Sequence, residues 1–258
     1  MWRQIRWLVG SILLASAFSA CAALENSPPR LPSYLVADGS QKIPVEKSLS
    51  IPSDPITGTL VVINDAEFPK AAPHLKKETL ESLGGYLQAE IQKQVPVTLS
   101  TLVFPEDITP SGSPNRLKQL GEEQGVPYVI LAVLSGAEWE VPERLPLDGL
   151  SQGTGLRSPG LVGYRAENYS RLEIAVLDVE TGRVLVTSDG KDWAVLERLA
   201  TPMESNVYPV VRRALTQPPI YPNTDQDAFE TLRWVSGQGA IDQAVMHLKE
   251  AWKTEATS

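Results

Sequence analysis

The sequence predicts an α/β (α+β) fold: a single mixed sheet built as β-α-β-α-β, then an antiparallel hairpin, covered by helices and followed by C-terminal helices. Three observations carry that expectation. Leu60-Val61-Val62-Ile63 is a short continuous apolar run, the pattern of a strand buried on both faces. Segments of helical period then alternate with strand-like ones, so the first three strands should lie parallel. Finally, Glu180-Thr181-Gly182 separates two β-rich stretches, and a glycine there supplies the positive φ that a tight hairpin needs.

The elements follow in order. The first strand begins at Thr59. Residues 75–94 place Leu80, Leu83, Leu87 and Ile91 on one helical stripe. Gly84-Gly85 within it either weakens the helix or lets another element approach closely. Val95 to Phe104 alternates and is rich in Val and Thr, so it reads as a strand. Ser113 caps the next helix with Pro114 in its first turn; Leu117 and Leu120 line its inner face, and Gly125 ends it. Tyr128 to Leu134 is the third strand, and 169–178 with 183–188 form the hairpin. The C-terminal part is helical. It starts at a capping pair, Thr224 and Asp227, and carries the stripe Ile241, Ala244, Val245, Leu248 and Trp252.

The N-terminus reads differently. Arg3 and Arg6 precede an uncharged apolar stretch, Leu8 to Ala20, of 13 residues. That is too short to span a hydrocarbon core of about 30 Å and matches the apolar region of a secretory signal. The only cysteine, Cys21, follows directly. Residues 21–56 then form a tether, with Pro28, Pro29, Pro32, Pro44, Pro52 and Pro55 among Ser, Asn and Asp. Whether Tyr34 to Val36 packs on the domain stays open at this point. The expected division is 1–20 signal, 21–56 tether, 57–216 mixed domain, and 217–258 a helical extension packed on it.

Phe18-Ser19-Ala20-Cys21 resembles the lipobox of bacterial lipoproteins, although Phe18 stands where an aliphatic residue is usual. The resemblance implies that the Cys21 thiol receives a diacylglycerol, that the signal is cut before it, and that the new amine is acylated. Ala22 rather than aspartate after the cysteine implies the outer membrane, facing the periplasm. Several acyl chains on one residue satisfy the need for more than one chain in a stable anchor. The order of elements, with Glu122-Glu123-Gln124-Gly125-Val126-Pro127-Tyr128-Val129-Ile130 and Leu177-Asp178-Val179-Glu180-Thr181-Gly182-Arg183-Val184, resembles the curli-secretion-channel and penicillin-binding-protein-activator lipoproteins. That likeness implies a non-enzymatic role in binding a partner or assembling a ring, with no site residue to carry over.

Composition narrows the function classes. The net charge of −8 becomes −10 when Arg3 and Arg6 leave with the signal, and no basic run is present. That argues against a nucleic-acid partner and against a polybasic membrane patch. His74 and His247, the two histidines, lie far apart without a nearby thiol, so no metal is expected. Asn223, Asp225 and Asp227 resemble half a calcium loop, but Ala228 and Trp234 stand where glycine and glutamate belong, so helix capping is the expected role. No cofactor is implied.

One stretch matches a catalytic pattern. Gly149-Leu150-Ser151-Gln152-Gly153 fits the nucleophile elbow, with an aspartate such as Asp178 or Asp225 and His247 to complete a triad. Its flanks are rich in glycine and proline and offer no helix start, so a loop is expected and an enzyme is not. The segment 136–168 shows no clear period and reads as one long loop, of a length that in compact domains is usually functional or disordered. Its Trp139, Arg144, Arg157, Tyr164 and Arg165 are residue types enriched at protein contacts and are the candidate partner-binding residues. The candidate functions are thus a lipid-anchored partner-binding protein, a subunit of an oligomeric ring or secretion assembly, and a hydrolase using Ser151.

Overall fold

A computed structural model describes residues 29–35, 54–110, 113–146, 160–201, 207–213 and 217–255. Its elements are α1 (Leu31–Tyr34), β1 (Ile56–Asp65), α2 (Lys77–Gln94), β2 (Val97–Val103), α3 (Ser113–Gln124), β3 (Tyr128–Leu145), β4 (Leu161–Asp178), β5 (Val184–Leu199), β6 (Val210–Arg212) and α4 (Asp225–Glu255). The six strands form one mixed sheet in the order β2-β1-β3-β4-β5-β6. β1 pairs parallel with β2 and with β3, and the later pairings are antiparallel. This is the α+β architecture the sequence predicts.

Each helix goes where its apolar stripe sends it. Leu83, Leu87 and Ile91 of α2 pack with Leu60, Val62 and Ile130 on one face of the sheet. Leu117 and Leu120 of α3 pack with Val61, Ile63, Val129 and Leu131 on the other. Neighbouring residues of β1 thus point to opposite cores, which is why its sequence is an unbroken apolar run. Each of these fully buried side chains contributes about 1.5–3 kcal/mol of transfer free energy. Gly84 is a close approach: a Cβ there would sit 2.6 Å from the Phe104 ring. Gly182 takes φ +68° at the β4–β5 turn and Gly125 takes φ +64° after α3, as the turn and the helix end require.

The C-terminal helices are one helix of 31 residues, about 46 Å long. Thr224 caps it: its hydroxyl accepts the Asp227 N–H at 3.1 Å and donates to the Asp227 carboxylate at 2.7 Å. Ile241, Ala244, Val245, Leu248 and Trp252 join the core shared with α2. The N-terminal half of α4, through Ala228, Leu232 and Val235, covers Ala166, Ala194 and Leu196 further along the sheet.

The largest departure from expectation is the segment 136–168. Residues 136–145 and 161–168 are not loop; they extend β3 and β4 into a long antiparallel arm, paired from Gly136↔Ser170 to Leu145↔Leu161. β5 follows to Leu199, well past the expected end at 188. The expectation failed because β3 and β4 carry no apolar stripe on the helix-covered side of the arm: Ala166 joins the apolar contact with α4, and ion pairs close much of the rest. Glu138 meets Arg233 of α4, and Glu140 meets Arg198, which also lies 3.6 Å from Asp225 of α4. Hydropathy therefore does not alternate along the arm. Pro142 is compatible with strand because β1 stops at Asp65, opposite Ser135, and leaves this stretch of β3 as an edge.

The segment expected as tether also contributes structure. Leu31, Tyr34 and Leu35 are buried against the α3 face of the sheet.

Candidate functional site

Strand geometry decides what the arm displays. Successive residues point to opposite faces. On β4, Tyr164, Ala166, Asn168 and Ser170 face α4, where Asn168 donates to Ser236 at 2.6 Å. Arg165, Glu167, Tyr169 and Arg171 face the other way. β3 contributes Trp139, Val141 and Glu143 to this outer face, and β5 contributes Trp193 and Val195. No described helix covers it. Leu145, Leu161, Leu199, Tyr208 and Val210 close only the far tip.

The centre of the outer face is aromatic. Trp139 and Tyr169 stack with ring centroids 4.8 Å apart and planes 17° apart. Tyr169 and Trp193 continue the stack at 6.0 Å and 16°. Trp193 is 41% exposed and Val141 46%. Charged side chains rim the stack. Arg165 pairs with Glu167 at 3.0 Å and Glu143 at 3.9 Å, and the Tyr169 hydroxyl donates to Glu167 at 3.4 Å. Rigid aromatic bodies within a satisfied polar rim are the composition of a protein-contact centre.

The candidate residues do not all meet here. Trp139 and Arg165 lie on the outer face. Tyr164 lies on the helix side, where the Arg198 guanidinium stands 4.6 Å from its ring centroid. Arg144 alternates to that side as well, opposite Val162. Arg157 and Ser151 lie outside the described residues, as does Cys21. Tyr169 and Trp193 were not candidates. Counting pairs outward from the Gly182 turn sets Tyr169 opposite Asp192; a bulge between Val176 and Leu177 shifts the register by one and brings Trp193 opposite instead.

A cleft of about 680 Å³ opens at the carboxyl ends of β1 and β2. The chain leaves β1 towards α2 on one face and leaves β2 towards α3 on the other, and open α/β sheets take ligands at such a point. Here the buried polar groups of the cleft are already used by the chain itself. Asp65 accepts from Arg30 at 2.7 Å and from the Tyr34 hydroxyl at 3.1 Å. Burial, and then Asp65 itself, push the Tyr34 hydroxyl well above the ordinary tyrosine range, which keeps it a donor. Asn64 accepts from the Leu75 N–H at 2.8 Å. Among the described residues no group of three or more His, Cys, Asp or Glu side chains could hold a metal ion. His247 is exposed, with Nδ1 2.6 Å from the Asp189 carbonyl oxygen. No described helix is long and apolar enough to cross a membrane.

Neither a family model nor a curated protein matches the chain. Solved structures overlap it weakly. A PelC dodecamer from Paraburkholderia phytofirmans is 12% identical over 75% of this chain and 93% of that one, with a TM-score of 0.28. A putative neuraminyllactose-binding hemagglutinin homolog from Helicobacter pylori is 11% identical over 80% and 96%, at 0.40. A hypothetical protein from Chlamydia trachomatis is 10% identical over 76% and 98%, at 0.32. Likenesses of this size leave the functional reading to the chain's own residues.

Proposed function

We propose that the chain is a lipoprotein of the bacterial envelope, held by lipid on Cys21 to the periplasmic face of the outer membrane, and that it acts without catalysis by binding a protein partner on the outer face of the arm. The observation that carries this reading is the Trp139-Tyr169-Trp193 stack on a sheet face that no described helix covers. The ion pairs around it leave few charges to desolvate when a partner arrives, which favours a contact surface over a merely solvated one. Pro142 has no backbone N–H to offer along the outer edge of the arm, so continuation of the sheet into a second copy is disfavoured there.

The test is photo-crosslinking in intact cells, with a photoreactive aromatic residue at position 139 or at the neighbouring Val141. A single product with a foreign protein, lost in Trp193→Ser, is expected. A ladder of self-products would replace this reading with a ring subunit, and absence of any product would remove the outer face as the contact surface. The anchor is checked separately: Cys21→Ser is expected to move the protein from the membrane fraction to the soluble one.

A further inference from the structure

The segment Pro29–Leu35 is held to the sheet at four points. Glu173 on β4 accepts the backbone N–H groups of Arg30 at 2.6 Å and Leu31 at 3.1 Å. Asp65 at the end of β1 accepts from the Arg30 guanidinium and from the Tyr34 hydroxyl. The Arg30 guanidinium also donates to the Glu67 carbonyl at 3.3 Å and lies 5.6 Å from the Phe68 ring centroid. Leu31, Tyr34 and Leu35 are buried beneath it. The two receiving carboxylates are themselves buried, Asp65 to 2% and Glu173 to 4% exposure. Removing the segment would leave Asp65 with the Glu67 N–H at 3.0 Å and Glu173 with the Arg171 guanidinium at 3.8 Å, poor compensation for two buried charges, so the segment belongs to the folded domain.

This attachment changes the length of the leash. Only residues 22–28 separate Cys21 from Pro29. That stretch, fully extended, spans about 30 Å. The whole span to Pro55, if free, would reach about 100 Å in an extended proline-rich form. The leash also leaves the sheet beside the aromatic stack. Glu173 and Tyr169 lie on the same face of β4, four residues or about 13 Å apart.

From this we infer that residues 29–35 act as a strap that shortens the lipid leash and holds the arm's outer face at the surface of the anchoring membrane, so that its partner is a protein seated in that same membrane. The inference rests on the reading of Cys21 as the lipid-bearing residue. A domain on the short leash cannot present Trp139 and Trp193 to anything standing about 100 Å from its own bilayer, whereas the unstrapped chain could.

The experiment uses purified, lipid-bearing full-length protein on a supported bilayer of phosphatidylethanolamine and phosphatidylglycerol, with the water gap beneath the protein layer read by neutron reflectometry. Three proteins are compared: wild type, Arg30→Ala with Tyr34→Ala, and an insertion of about twenty Gly/Ser residues between Asn26 and Ser27. The insertion lengthens the leash while leaving the strap and the fold untouched. The wild type is expected to lie within about 30 Å of the bilayer, and both variants to rise or spread by tens of ångströms. In cells, the position-139 product is expected to fall several-fold in both. A wild-type gap as wide as that of the double variant would overturn the strap. Full crosslink yield from the insertion variant would overturn the same-membrane partner. Failure of the anchor reading looks different, since no protein layer would then form even with the wild type.

Discussion

The two halves of β3 and β4 are the same strands in different company. In the base, residues 129–134 and 172–177 lie between α2 and α4 on one side and α1 and α3 on the other, and almost every side chain is apolar and buried. In the arm, residues 136–145 and 161–171, one side meets α4 through a small apolar cluster, charge pairs and a polar cluster, and the other carries the aromatic stack with no described helix over it. The difference teaches how the proposed recognition would be kept apart from stability. The base draws its stability from burial on both faces. The arm takes its rigidity from strand pairing and from α4, which leaves its outer face open for the proposed partner.

The largest effect should come from breaking what the halves share, the path of α4 over the sheet. Gly190 on β5 pairs with Leu172, where the base gives way to the arm. A Cβ there would lie 2.2 Å from the Ala240 carbonyl oxygen and 2.3 Å from the Ala244 nitrogen. These are helix backbone atoms and cannot rotate aside. Gly190→Leu is therefore expected to lift α4 and cost about 4 kcal/mol or more, or to abolish folding, as read by urea unfolding. A cost below about 1 kcal/mol would show that α4 is not seated on the sheet in this way.

A smaller effect should loosen the arm alone. Glu138 receives two bonds from Arg233, at 2.8 and 2.9 Å, and the two side chains are 12% and 11% exposed. Burial works against the Arg233 charge, and Glu138 with Glu230 more than offsets it, so the guanidinium pKa ends above its ordinary value. Glu138→Ala removes the main partner and leaves Glu230 at 3.0 Å. The expected cost is about 2–4 kcal/mol. Hydrogen exchange should sharpen the comparison, with amides of 136–145 and 161–168 losing protection while those of 129–134 keep theirs. Equal loss in both halves would mean that base and arm unfold as one unit.

The same contrast explains how much could be read without a structure. The base was legible because its physics is periodic: Leu83, Leu87 and Ile91 repeat at helical spacing, Val61 to Ile63 run unbroken, and Gly182 marks the hairpin. The arm was not, because its order comes from pairs distant in sequence, such as Glu138 with Arg233, and because Pro142 suggests a break unless β1 is known to stop at Asp65. Trp139 and Arg165 could be singled out by residue type alone. Their separation from Arg144 and Tyr164 required strand alternation, and the inclusion of Trp193 required the bulge. The strap was hidden for a similar reason: four residues of helix show no period, and Arg30 owes its place to Asp65 and Glu173, far along the chain.

The smallest effect on stability is expected where the largest effect on binding lies. Trp193 is 41% exposed and touches the stack only through Tyr169, with ring centroids 6.0 Å apart. Trp193→Ser gives up part of one aromatic contact and leaves no cavity in either core, so its cost should stay at or below about 1 kcal/mol. A smaller truncation in the base, Leu131→Ala, should nevertheless cost about 2–5 kcal/mol because a fully buried side chain is removed from close packing. If recognition resides on the outer face, the order reverses for crosslinking from position 141: Trp193→Ser loses the product, and Leu131→Ala retains it in proportion to the folded fraction. Should both variants instead lose product only in step with their stability, the aromatic stack would be part of the scaffold, and the division of labour between base and arm would fail.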